Sequence, residues 1–292
     1  MANNILSSIH NYMIANKLHI NMTKCCYMYF CPKTTIKPED NTLHTLHLNG
    51  SNILKVNQTK FLGVIIDDKL TWQPHIDHLH KKLACCTGTL NRIKENIPSH
   101  LHKDLYHTLF ESHLSYGITV WGDLSESKIT PLFTSQKRCL RILFGDKEVY
   151  MDKFKTCARV RPFGDQILDS RFYIKEHTKP IFNNEKLLTI HNLHTYHKIS
   201  ETFSILKFRC PISLYSLFQL SHRKPTMTII PHPDNKYIHS VSKVWNIARQ
   251  KFDIQDFSQK LNPAKLKLKK LLLQNQCVGD KINWITTNFE FL

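Results

Sequence analysis

The chain has 292 residues, enough to bury a core and to form one or two domains. Its hydrophobic fraction of 41% excludes a disordered chain, and 8 glycines in the whole sequence argue against a glycine-rich dinucleotide fold. Lysine and arginine number 40 against 23 acids, a net charge of +17 whose self-repulsion a polyanion would relieve, nucleic acid first and an anionic membrane surface second.

Ile5, Leu6, Ile9 and Met13 recur at helical spacing and predict a helix over 4–17, with Asn3 or Asn4 as its cap. Residues 24–30, rich in Cys, Tyr and Phe and followed by Pro32, read as a strand. Short strands follow over 43–48, 53–56 and 61–67. The first two are separated by Asn49-Gly50, a strong hairpin signal, and the next turn falls near Asn57-Gln58. Pro74 suits a first helical turn, and Ile76, Leu79, Leu83 and Leu90 carry a helix to about Asn96. A second helix opens at Pro98-Ser99 and stops before Tyr116-Gly117. A third runs from Ser127 to Phe144, closed by Gly145, with Lys137, Arg138 and Arg141 on its exposed side. Helices are also expected around 164–179, 184–198, 213–221, 240–250 and 263–274, while 222–240, with three prolines, reads as loop or extended chain. The fold class is α+β. A small helix-plus-hairpin region (1–73) leads into a basic helical region (74–160) and a mainly helical C-terminal region (161–292).

Nine cysteines form two adjacent pairs, Cys25-Cys26 and Cys85-Cys86, and five scattered singles, with no CxxC. That pattern reads as reduced thiols, neither a disulfide framework nor a zinc site. The 18 histidines include no HExxH. No run approaches the ~20 apolar residues that span a bilayer, and the N-terminus lacks a signal-peptide pattern, so an intracellular location, nuclear or cytoplasmic, is expected.

In FLGVIIDDKLTW (61–72) an apolar run ends in Asp67-Asp68. Adjacent carboxylates after a strand suit two-metal phosphoryl transfer, which needs a further carboxylate on a neighbouring strand. Residues 1–66 offer only Glu39 and Asp40, in a polar loop, while Asp77, Asp104 and Asp123 fall on or beside helices. The pair therefore reads as a polar turn and no metal site is expected. GxxxxGK[ST], GxGxxG and GxSxG are all missing. Between Lys128 and Arg161 nine Lys/Arg face three acids. Near the end, KLKLKKLLLQ sets Lys265, Lys267, Lys269 and Lys270 beside leucines, as a phosphate-contacting helix or a solvated amphipathic one.

Five blocks carry a resemblance: NKLHINMTKCCYMYF (16–30), KFLGVIIDDKLTWQPHI (60–76), SHLSYGITVWG (112–122), QKRCLRILFG (136–145) and SKVWNIAR (242–249). In this order they resemble the C-terminal part of non-LTR (LINE-type) retrotransposon reverse transcriptases, over nearly the whole chain. The resemblance implies a palm remnant, a thumb and the region that follows. It assigns Lys24 to the lysine near the incoming nucleotide's phosphates and Phe61, Leu62 and Gly63 to the primer grip. Trp72, His75 and Ile76 match the start of the thumb. Lys81, Lys82, Arg92, Lys94, Lys137, Arg138 and Arg141 are the expected phosphate contacts to an RNA/DNA template–primer duplex. The family's YxDD motif lies upstream of the block matching 16–30, so no polymerase activity and no cofactor are expected for this chain, although the full-length family uses Mg²⁺. The alternative is a non-catalytic nucleic-acid-binding or protein-interaction module derived from such an element.

Overall fold

A computed structural model describes residues 2–30, 45–145, 178–221, 228–231, 235–252 and 261–274. The expectations for 43–44, for 164–177, for the basic residues of 147–161 and for most of 222–240 lie outside these residues. The chain is mainly helical with three two-stranded sheets, an α+β fold, and it divides into two compact units, Met1–His78 and Leu79–Leu292.

In the first unit, α1 (Ala2–Ala15) already includes Asn3 and Asn4, so neither caps it. None of its residues is buried, and Ile5, Ile9, Tyr12 and Ile14 are exposed. Of the strand expected over 24–30 only β1 (Cys26–Tyr27) pairs as a strand, and its start is displaced because Met22–Lys24 closes into a 3₁₀ turn. The Asn21 side chain stabilises that turn by accepting from the Thr23 amide at 3.0 Å. Next, β2 (His47–Leu48) and β3 (Ser51–Asn52) pair antiparallel around Asn49-Gly50, whose φ values of 53° and 71° are those a two-residue hairpin turn demands. The Asn3 amide holds α1 to this hairpin: Nδ2 donates to Thr45 O at 3.3 Å and Oδ1 accepts from His47 N at 3.1 Å. β4 (Leu54–Lys55) pairs parallel with β1.

The segment 61–67 is not one strand. β5 (Gln58–Phe61) and β6 (Val64–Asp67) are antiparallel arms of a hairpin that turns at Leu62-Gly63. Both turn residues take positive φ, 46° and 85°, which glycine accepts readily and leucine does not. The unbroken apolar sequence hid the turn, since leucine carries no turn signal.

α2 (Gln73–Ile93) starts in the first unit and supplies the opening helix of the second. In the second unit α2 buries Leu79, Leu83 and Leu90. The helix expected from Ser99 is built from α3 (His102–Leu105), a π-helical stretch over Tyr106–Glu111 and α4 (Ser112–Ser115), burying Tyr106, Phe110 and Leu114. Gly117 turns the chain at φ 63° into α5 (Ile118–Trp121), and α6 (Glu126–Phe144) follows Ser125. After α7 (Lys179–Asn184) comes α8 (Ile190–Phe208), whose first turn is capped by Thr189 Oγ1 accepting from Asn192 N at 3.3 Å.

α8 runs ten residues past the expected end at 198. It buries residues on nearly every side, Ile190, Leu193, Ile199, Phe203, Ile205 and Leu206 among them, so it is the core helix of this unit. Of the helix expected over 213–221 only α9 (Ile212–Tyr215) forms, and Leu220 bridges Ile229 antiparallel. α10 (Lys236–Phe252) begins inside the stretch read as loop and buries Val241, Val244, Trp245 and Ala248. α11 (Leu261–Gln274) buries Leu268 and Leu272, and both α10 and α11 pack on α8.

Buried Gln136 of α6 ties this core together. Its Nε2 donates to the Tyr106 hydroxyl at 2.8 Å and to Leu188 O at 2.9 Å, while its Oε1 accepts from Ile190 N at 3.0 Å. Both amide hydrogens and the oxygen are engaged where water cannot reach.

Candidate functional site

The hairpin places Phe61 and Leu62 at its tip, 61% and 74% exposed, with Gly63 completing the turn. Large apolar side chains on a strained turn are costly to display to water, which sets this tip apart from an ordinary solvated turn. Lys24 is exposed at the end of its 3₁₀ turn.

Asp67 ends β6 and the turn expected there follows at 68–69, but Asp67 itself is 7% exposed, buried beneath that turn. Its Oδ2 accepts from Thr71 N at 2.9 Å, its Oδ1 from Trp72 N at 2.8 Å and its carbonyl from Leu70 N at 2.9 Å. Leu70 and Trp72 both hold positive φ, and the carboxylate pins that bend just ahead of α2. Burial acts to raise its pKa, but the bonds from Thr71 and Trp72 outweigh it and hold the carboxyl below its ordinary value of 3.8. A carboxylate so occupied does not suit Mg²⁺. Among the described residues no group of three His, Cys, Asp or Glu is placed to hold a metal ion. Asp67→Ala strands two amides and is expected to cost about 1–2 kcal/mol, by analogy with a lost helix cap. Because the folded pKa is depressed, that contribution is present above about pH 4 and lost as pH falls through the folded value. Urea unfolding of variant and wild type should therefore differ at pH 7 and converge below pH 4.

On α2, Lys81, Lys82 and Arg92 are exposed. Lys81, Cys85, Gly88 and Arg92 follow at helical spacing along a face about 16 Å long. A Cβ added at Gly88 would meet nothing within 4 Å, so this face is open. Lys94 is half-buried and donates to Ile142 O at 3.1 Å, where it satisfies a C-terminal carbonyl of α6. Of the three basic residues expected to contact phosphate on α6, only Arg138 is exposed. Lys137 and Arg141 are half-buried, not on an open face, because Lys137 lies 4.0 Å from the centroid of the Phe133 ring. Burial, reinforced by Arg141 and opposed by Glu126, lowers the Lys137 pKa.

Sequence reasoning missed a second cluster. Lys198 of α8 is 1% exposed, and its Nζ donates to both Asp123 oxygens at 2.6 Å and to Ser240 Oγ at 2.7 Å. Ser240 Oγ in turn donates to Asp123 Oδ1 at 3.1 Å. His194 Nε2 lies 3.7 Å from Asp123 Oδ1, and its ring covers Gly122 so closely that a Cβ there would fall 2.5 Å from His194 Cδ2. Burial, opposed by Asp123, lowers the Lys198 pKa. An ammonium held by a carboxylate joins α8, α10 and the segment after α5, and it offers no base for catalysis. No local sequence signal marked Lys198, which stands between His197 and Ser200–Glu201 in a helix of mixed composition. The described cysteines are free thiols, and burial pushes that of Cys139 up to about 12. No helix among the described residues is long and apolar enough to cross a membrane.

Compared with known proteins, no family profile and no solved structure matches the chain. Over 79 residues, 26% of this chain, it is 29% identical to a "Retrovirus-related Pol polyprotein from type-1 retrotransposable element R1" of Bradysia coprophila. The match spans 8% of that polyprotein's length, so the chain contains a region similar to a small part of a retrotransposon polyprotein.

Proposed function

We propose that this chain is a duplex-holding module of non-LTR reverse-transcriptase lineage, binding an RNA/DNA template–primer without itself carrying the catalytic carboxylates. The display of Phe61 and Leu62 on the β5–β6 turn carries this reading, because a hairpin tip of that kind suits contact with the end of a strand. Lys81 and Arg92 on the open face of α2, with exposed Lys82 beside it, supply phosphate contacts, and the +17 charge supplies the general attraction. The retrotransposon similarity supports the same lineage. The 292 residues contain no YxDD, and the bonded state of Asp67 argues against a metal at the Asp67-Asp68 pair.

Binding of the full chain to an RNA–DNA hybrid should weaken linearly in log K against log salt. The Lys81→Ala/Lys82→Ala/Arg92→Ala variant should lower the slope by roughly 2–3, at about 0.9 per phosphate contact. Phe61→Ala should weaken a hybrid with a recessed 3′ end more than a blunt one. Affinity that ignores salt would sink the proposal, and so would primer extension by the pure chain with Mg²⁺. A protein-interaction role is the second reading, favoured by the bare apolar face of α1. It predicts concentration-dependent sedimentation that Ile5→Lys abolishes.

A further inference from the structure

The second unit carries an open cleft of about 310 Å³, at the small end of the roughly 300–1,000 Å³ typical of ligand sites. One face of α8 lines it with His197, Ser200, Glu201 and Ser204; Thr119 of α5 and Lys265 of α11 complete it. The lining is mainly polar, so an apolar guest would leave these groups unpaired. Ser200 is 7% exposed, and the neighbour of its hydroxyl is the Tyr196 phenol, with which it shares a hydrogen bond. A serine hydroxyl with one such partner keeps a further bonding position for a guest at the cleft wall.

The charges narrow the guest's chemistry. Lys265 supplies one cation and Glu201 one carboxylate. Burial lowers the His197 pKa, with Glu111 opposing and Lys265 reinforcing, so the imidazole adds no charge at neutral pH. A bare phosphate dianion would meet the Glu201 carboxylate without relief. A guest with one phosphate and neighbouring hydroxyls satisfies both ends, since a carboxylate accepts from ribose hydroxyls and a lysine attracts phosphate. We propose that this cleft seats one ribonucleotide unit, with Lys265 toward its phosphate and Ser200 and Glu201 toward its 2′-hydroxyl. The 2′-hydroxyl is the group by which a protein tells RNA from DNA. The cleft's own lining carries this proposal, which uses neither the hairpin tip nor the basic face of α2.

Calorimetric titration of the full chain with adenosine 5′-monophosphate, its 2′-deoxy counterpart and inorganic phosphate tests it. The ribonucleotide should bind about 5–10-fold more tightly than the deoxynucleotide, the effect of one well-made hydrogen bond, and phosphate should bind more weakly than either. Ser200→Ala and, independently, Glu201→Gln should erase the ribo/deoxy difference. Lys265→Gln should weaken both nucleotides and preserve it. Equal binding of the two nucleotides, a preference that survives both variants, or no saturable binding would overturn the proposal. Salt-dependent hybrid binding alongside any of those outcomes would leave the duplex-holding function standing and sink only this site.

Discussion

Asp123→Ala is expected to destabilise the helical unit by about 3–5 kcal/mol, the range for removing one partner of a buried pair. Lys198 keeps its ammonium at 1% exposure, with Asp123 as its charge partner and Ser240 as its neutral one. Without Asp123 the charge stays in low dielectric with a single hydroxyl, or the lysine must give up its proton. Asp123 itself is 42% exposed, so its removal lets water approach Nζ and places the loss toward the lower end of the range. Lys198→Met reverses the logic. It leaves a carboxylate that water can solvate, and a side chain of similar volume fills the core, so it should cost less than Asp123→Ala. The double variant should recover much of the single variant's loss. Urea unfolding followed by circular dichroism closes this cycle. If Asp123→Ala costs under about 1 kcal/mol, the pair is not a brace.

The second large effect is acid sensitivity. His194 is pushed down to about 4 from an ordinary 6.5, first by burial and then by the Lys198 charge, with Asp123 opposing. The unfolded chain binds a proton there near pH 6.5 while the folded chain resists it until about pH 4. The unfolded state thus holds more protons across that window, and stability must fall as pH drops through it. One histidine shifted this far is worth about 3 kcal/mol. Burial also lowers His191 and His197 on the same helix, and their contributions add to the slope. Unfolding free energy should be nearly level just above pH 7 and decline steeply between about pH 6.5 and 4. His194→Gln should flatten the decline; the slope is the readout, because glutamine also loses the ring's packing on Gly122. A flat wild-type profile between pH 7 and 5 would contradict this account.

The sequence made some features legible because their physics is local. Asn49-Gly50 announced a turn through backbone preference, and Gly145 marked the end of α6. Other features depend on partners far along the chain. The β5–β6 turn sits at a leucine, held there by pairing of Gln58–Phe61 with Val64–Asp67. α8 lacks one-sided periodicity because it is covered from several directions, so no pattern set its end. At the candidate interface, the resemblance pointed to Lys81, Lys82 and Arg92, which are exposed on α2. It could not foresee that Lys94 bonds a carbonyl of α6 or that Lys137 lies over Phe133. Lys198 and Asp123 stand 75 residues apart, beyond the reach of any local rule.

Gln136 has a consequence for how sequences related to this one can diverge. Its amide must present an NH₂ to the Tyr106 hydroxyl and the Leu188 carbonyl, and an oxygen to the Ile190 amide. Glutamate has the same shape but no hydrogen to give, so its second oxygen would face the lone pairs of Leu188. A point mutation makes that exchange, and genes acquire such changes freely once their product no longer has to fold. Glutamine retained at this position, across related sequences that differ elsewhere, would be a genetic record that the folded protein is being selected.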